Sequence, residues 1–396
     1  MRRPTVLLVF GAIFVAELGW SGISPLLPSY ADRYGLSDPA TGLILTIASL
    51  GILLVSLPAG ALSRRFAVRS LTLWSMAALA AGNLITGASS TYPVLLFGRC
   101  VMGVGLGTMW VAGVAWLHDE AGEHAARALA LTTVVVGVAS LIGPAITGYL
   151  GERFSLGTPF VLLGLLTLAM EGALILAPAE RGRTPEPSPP LVEMLRAARG
   201  ERMMLASLVL TLGVSLMWMT TELLVPLRLD ERGYSPADIG LAFSLASCVF
   251  IVSSAVTARA ADRFATLRVA SLWSFVFVAG VAIAAVSRSV PATLVFLVVV
   301  GVATGVMISL TYPLGAIGAR AGGFSVAVVG AILNMVWAGA GLVGPTGGGA
   351  VAGSVGDRVA FAGLAAFGLA AGAWMWVRRE PARPGRAAAP ERDVTT

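Results

Sequence analysis

The chain has no lysine: all 27 of its basic residues are arginine. That excludes a phosphate-binding loop of the GxxxxGK[ST] type, whose lysine reaches the nucleotide phosphates. Cysteine and histidine occur only twice each. Cys100 and Cys248 both fall in apolar runs, where small packing residues are expected rather than a disulfide or metal site. His118 and His124, in WLHDEAGEH, have acids beside them but no metal-ligand spacing, and read as part of a solvated loop. Charge of either sign is scarce, 12% of residues against 57% hydrophobic, and the mean hydropathy is +0.85. This balance lies outside the soluble globular range and inside that of polytopic membrane proteins. Period-two alternation is missing as well. Runs such as Phe160 to Ala177 are apolar on every face, which excludes a membrane β-barrel. No cofactor is expected. The net charge of +6 sits in short loops, where it orients a membrane protein rather than recruiting nucleic acid.

Stretches of about 18 or more mostly apolar residues predict membrane helices over 5–28, 39–62, 70–89, 93–117, 127–150 and 158–178, then over 203–227, 237–258, 269–287, 291–318, 325–352 and 357–377. The expectation is an all-α membrane protein of twelve transmembrane helices, arranged as two six-helix bundles over 1–178 and 203–377. We number these spans one to twelve. Val6 to Leu27 precedes no small-residue cleavage site and so reads as span one rather than a signal peptide. Between the halves, AERGRTPEPSPPLVEMLRAARGER (179–202) is a linker rich in proline and charge. Its LVEMLRAAR portion suits either a short amphipathic helix on the membrane surface or a plain tether. The tail over 378–396 has no apolar period and is expected to be disordered.

Most loop arginines fall on one side of these spans, and only Arg33, Arg153, Arg228, Arg232, Arg288 and Arg358 on the other. The positive-inside rule then places both termini in the cytoplasm, in a multi-pass protein of the inner (cytoplasmic) membrane. The halves also repeat at an offset of 198: Pro28 matches Pro226, Gly42 matches Gly240, and Arg65-Phe66-Ala67 matches Arg263-Phe264-Ala265. With small slips Gly103 matches Gly301 and Gly143-Pro144 matches Gly344-Pro345, so the two halves read as copies of one six-helix unit, as transporter folds often do.

Leu96 to Gly107, LFGRCVMGVGLG, places Arg99 inside span four. An arginine near a bilayer centre costs roughly 2.5–3.5 kcal/mol on insertion scales, so it should face a polar cavity or a carboxylate. Gly103 and Gly107, a turn apart, let a neighbouring helix approach almost backbone to backbone. This RxxxGxG spacing resembles the fourth-helix motif of the major facilitator superfamily. The loop GALSRRFAVR (60–69) is similar to that family's GxxxDRxGRR loop, with Arg64 in place of Asp and Ala67 in place of Gly, while ARAADRFATLR after span eight keeps the acid as Asp262-Arg263. GVASLIGPAITG (137–148), echoed by GAGLVGPTGGG (339–349), is similar to the helix-five motif of drug-exporting antiporters, though it also reads as a proline-bent packing surface.

The resemblance implies the major facilitator fold, with spans one, four, seven and ten lining a central cavity. It also implies a latch from Asp262 to the start of span five and Arg127, and no equivalent latch at Arg64, which would face Arg320. Gating and packing roles would fall to Arg65, Gly103, Gly107, Gly143, Pro144, Asp262, Arg263, Gly344 and Pro345.

Three acids lie within spans: Glu17, Glu171 and Glu222. A buried carboxylate beside an arginine can load and release a proton as its surroundings change. Glu17, on one face with Ser21, Ser24 and Pro28, is the first candidate for proton coupling or substrate binding, with Arg99 near enough to reach it; a structural ion pair is the alternative. Glu222, with Thr211, Ser215 and Trp218, either complements Glu17 or lines the vestibule, and Glu171 in span six reads as a structural acid. Trp20, Trp110, Trp218 and Trp337 lie within spans, where they could hold flat or cationic ligands or simply pack. Trp74, Trp116, Trp273, Trp374 and Trp376 fall at span ends and read as interfacial anchors. No triad, metal cluster or nucleotide loop suggests an enzyme.

The expected function is a secondary active transporter that acts as a monomer and exports amphipathic or cationic small molecules against protons. A proton-coupled uptake permease is the alternative, and a transport-inactive receptor a lesser one.

Overall fold

The computed structural model describes residues 3–177, 196, 201–324 and 327–378, with backbone alone at 3, 56–65, 123, 125–127, 129–130, 261–262, 327–328 and 331. Span one is composite: Arg3–Ser21, a tight turn at Ser24–Leu26, then Leu27–Tyr34. Pro25 and Pro28 withdraw backbone donors where the helix changes character. Spans two and three are Asp38–Arg65 and Val68–Gly87. Span four joins Tyr92–Thr108 to Val114–Ala121 through a π-helical turn, Met109–Gly113. Spans five to eight are Ala125–Arg153, Thr158–Leu176, Arg202–Asp230 and Pro236–Ala258. After a single turn at Ala261–Phe264 come spans nine to twelve: Leu267–Val286, Val290–Ala321, Ala327–Val355 and Asp357–Val377. Among the described residues, ten helices are long and apolar enough to cross a membrane. The predicted linker and tail lie outside the described residues, apart from Arg196, Glu201, Arg202 and Arg378.

Helix starts follow local chemistry. Proline occupies the first turn of spans four, six, eight and ten, where its missing N–H has no partner to lose. Ser235 and Asp238 close a capping box at span eight. Arg69, at the end of the 60–69 loop, serves the opposite kind of helix end. Its Nη2 donates to the Ile175 and Ala177 carbonyls at 2.8 and 3.1 Å, satisfying the last turn of span six.

The packing repeats. Span three packs on spans four and six, two on four, and one on five; in the second half nine packs on ten and twelve, eight on ten, and seven on eleven. The same six-helix pattern thus occurs twice. The halves meet where span five lies against eight and span two against eleven, the two pairs that pseudosymmetry relates. Large apolar side chains such as Leu54, Leu176 and Val256 remain on the outer surface, as a lipid-facing protein requires.

Two readings of the sequence need correction. Trp116 is no interfacial anchor: it is buried in the first bundle and donates from Nε1 to Glu120 at 3.1 Å. Arg228 is no loop arginine. It lies in the last turn of span seven with 1% of its surface exposed. Its Nε donates to Asp357 at the start of span twelve (2.9 Å), Nη2 to the Ala284 carbonyl (3.0 Å) and Nη1 to the Ser287 carbonyl (3.3 Å), and its guanidinium lies over the Phe361 ring. It staples spans seven, nine and twelve together.

Candidate functional site

We call the end of the bundle away from the chain termini the distal end. The contacts between the halves gather there. A side chain at Gly148 would run into the Pro236 carbonyl, and one at Gly240 into that of Pro144, so spans five and eight touch backbone to backbone. Pro144 has no N–H to give the carbonyl four residues earlier, Ser140. Ser247 of the other half supplies the donor, at 3.1 Å, and Ser244 donates to the neighbouring Leu141 carbonyl. Gly42 lies against Pro345, Gly349 against the Asp38 backbone, and Thr346 donates to Thr46 at 2.8 Å. Span one meets span seven through its distal segment, Ser24–Tyr34. The distal end is therefore closed over the centre of the molecule.

Ser247→Ala should leave the Ser140 carbonyl without that donor and weaken the closed arrangement by about 1 kcal/mol, roughly fivefold in population. Spin labels on cysteines introduced at the exposed Arg153 and Arg232, with Cys100 and Cys248 replaced by serine, would read the longer distance. An unchanged distance distribution would mean that the serine contributes nothing to closure.

The predicted polar residues lie around the centre, but not in the predicted pairing. Glu17, 6% exposed, accepts at Oε1 from Trp110 Nε1 at 2.9 Å. Trp110 is 38% exposed and sits in the π-helical turn of span four, which turns its indole toward span one. Such turns frequently occur at functional sites. Arg99 does not reach Glu17. It is fully buried, donates from Nη1 to the Gly19 carbonyl at 3.1 Å, and keeps Nε and Nη2 without a protein partner. From the opposite half Glu222 likewise keeps a buried Oε2 without a partner. The Glu222 carboxylate lies within the fields of both Arg99 and Glu17. A carboxylate and a guanidinium from different halves thus lie within electrostatic range of one another, each with a buried polar atom left free.

The remaining predicted residues divide. Ser21 and Ser215 give their hydroxyls to their own helices, at the Glu17 and Thr211 carbonyls. Ser24 is buried with a free hydroxyl. Trp218 packs edge-on against Phe250, and Trp337 and Trp20 pack half-buried against the cores of their bundles. Gly103 and Gly107 lie against the span two backbone at Ala48 and Ile52, and Gly143 against Ser21. Gly344 lies against Met219 of span seven, and Pro345 meets Gly42. Arg263 and Arg320 are exposed, while the side chains of Arg64, Arg65, Arg127 and Asp262 are outside the described residues. Glu171 is half-buried in span six.

Sequence reasoning missed Asn83 and Thr86, two of the buried polar residues of span three, and the Ser244/Ser247 pair, one turn apart on span eight. Polar residues inside spans were the available signal.

The family model for the Major Facilitator Superfamily matches residues 9–337. The chain belongs to the Major Facilitator Superfamily. It is a membrane transporter of small molecules and not an enzyme. This superfamily member is 23% identical over 283 residues to AraJ of Escherichia coli (strain K12), covering 70% of each chain. It is 24% identical over 247 residues to the quinolone resistance protein NorA of Staphylococcus aureus (strain MSSA476), covering 62% of this chain and 63% of NorA. Its fold is similar to that of a bacterial homologue of the human lysosomal transporter Spinster in an inward-facing and occupied conformation, with TM-score 0.77 and 14% identity over 95% of this chain and 96% of that one. It is also similar to a D-xylose-proton symporter, with TM-score 0.74 and 12% identity over 94% and 97%.

Proposed function

We propose that this superfamily transporter is a proton-coupled exporter of amphipathic or cationic small molecules, working as a monomer by alternating access. The observation that carries the reading is that Arg99 and Glu222, from the two halves, lie within electrostatic range with a buried polar atom free on each, and that Trp110 holds Glu17. Charged groups with buried atoms that lack a hydrogen-bond partner are held ready for a ligand or proton, since an unmade bond in a low-dielectric interior is expensive. A proton on either carboxylate, or a cation against it, supplies what is missing. The two cannot both be held, and that exclusion is antiport.

Trp110, half exposed beside Glu17, offers a ring face to an organic cation. The similarity to a quinolone resistance protein favours export over uptake. Bundles over 1–178 and 203–377 would rock about the paired prolines and glycines, with the latch at Asp262 and Arg263 holding the cytoplasmic side in the opposite state. With both termini in the cytoplasm, in the inner membrane, the closed distal end is the outer one and the state is inward-facing.

Everted membrane vesicles test this. Adding a lipophilic cation to vesicles bearing wild type should release lumenal protons, read with a pH-sensitive dye, and Glu17→Gln should abolish the response. A silent wild type would remove the cation-export reading and direct assays to uptake of neutral or anionic metabolites.

A further inference from the structure

Beside the contact of Arg99 with Gly19, the first bundle holds polar groups that the transport reading does not use. Asn83 of span three is 1% exposed, and neither its Oδ1 nor its Nδ2 has a hydrogen-bond partner. Its amide lies against Gly19, the residue whose carbonyl accepts from Arg99. One turn further along span three, Thr86 is equally buried, with a free Oγ1 against Gly98, the neighbour of Arg99 in span four. Spans three and four therefore bring three polar side chains with free atoms, Asn83, Thr86 and Arg99, up to the Gly19 and Gly98 backbone, where each unmade bond opposes folding.

The chemistry of the free atoms selects what fills them. Arg99 and Asn83 Nδ2 only donate, Asn83 Oδ1 only accepts, and the Thr86 hydroxyl does either. An anion would satisfy the donors but face Oδ1 with like polarity. A metal cation would be repelled by the guanidinium. Water both donates and accepts, and buried water typically makes about three bonds to groups of this kind.

We propose that Asn83 and Thr86 hold ordered water against the free N–H groups of Arg99, making Asn83 the positioning residue that sets where the guanidinium points. This rests on the reading of Arg99 as part of the transport site, but its physical core does not. The hydrated contact fixes the guanidinium beside the Gly19 carbonyl, so that the N–H groups taken neither by that carbonyl nor by water stay available to the transport site. Gly19 matters here because a Cβ there would press on the Asn83 amide, 3.1 Å from Nδ2.

The test is a thermal cycle on detergent-purified protein, with transport as a second readout. Asn83→Leu, nearly isosteric but apolar, should lower Tm by several degrees, more than Asn83→Ser, whose hydroxyl and added space keep the water. In an Arg99→Leu background Asn83→Leu should cost no further Tm. If packing alone were at stake the order would reverse, leucine being better tolerated than serine, and the effects of Asn83→Leu and Arg99→Leu would add; either result overturns the proposal. In vesicles Asn83→Leu should lose transport on the order of tenfold while Asn83→Ser retains it. A wild type without proton release would count against the antiport reading alone, because the thermal cycle stands without it.

Discussion

Asp357→Asn is expected to destabilise the second bundle by about 3 kcal/mol, at the lower end of the 3–5 kcal/mol seen when one member of a buried ion pair is removed. The reason is geometric. Arg228 would keep its bonds to the Ala284 and Ser287 carbonyls and its place over Phe361, but its charge would lose the carboxylate 2.9 Å away. Asp357 also receives Arg288, at 3.2 Å, and Arg288 in turn holds Glu231 at 2.6 Å. That outer arm is more than a third exposed on the arginine side and over half on the glutamate, so Arg288→Gln should change stability by no more than about 1 kcal/mol.

A combined Arg228→Met and Asp357→Leu variant removes both charges at similar volume and should recover most of the loss. Thermal unfolding in detergent reads all three. Equal losses from Asp357→Asn and Arg288→Gln would show that the buried arm has no special weight. The positive φ of Gly356, just before Asp357, lets the chain turn into span twelve with the carboxylate already aimed at Arg228.

What the sequence conveys depends on the range of the interaction. The spans were readable because hydrophobic length is local, and the twofold repeat because matched Pro and Gly keep their order. Boundaries shifted by a few residues, most at span one, which continues to Tyr34 after its break. The π-helical turn in span four was hidden, since nothing in MWVAG departs from ordinary helix composition. Arg228 was misplaced for a different reason. Counted from the apolar run it belongs to a loop, and only the arrival of Asp357 from 129 residues away makes it a core residue. Arg99 and Glu17 were both identified as polar groups within spans, but their partners were not. The Gly19 carbonyl and the Trp110 indole are choices made by packing, invisible until the helices are set side by side.

The same distinction decides what substitutions at Arg99 and Glu222 should do. Glu222→Gln is expected to lower cation-driven proton release on the order of 100-fold or more, the scale on which a positioned proton-transfer group contributes. Arg99→Leu should do the same from the other half. Arg99→Lys should also fail, because an ammonium bound to the Gly19 carbonyl cannot present the two further nitrogens that the guanidinium holds in one plane.

The exchange of charges, Arg99→Glu with Glu222→Arg, separates a site from a simple pair. If the two residues only neutralise each other, reversal should restore much of the activity. With the Gly19 carbonyl fixed beside position 99, a carboxylate there would face a backbone oxygen, which requires a donor. The exchanged protein should therefore remain inactive although its net charge is unchanged. Proton release in vesicles, read beside equilibrium binding of the same lipophilic cation to purified protein, distinguishes lost coupling from lost binding. Wild-type rates from Glu222→Gln, or full recovery on exchange, would remove these residues from the coupling step and leave Glu17 and Trp110 to account for it.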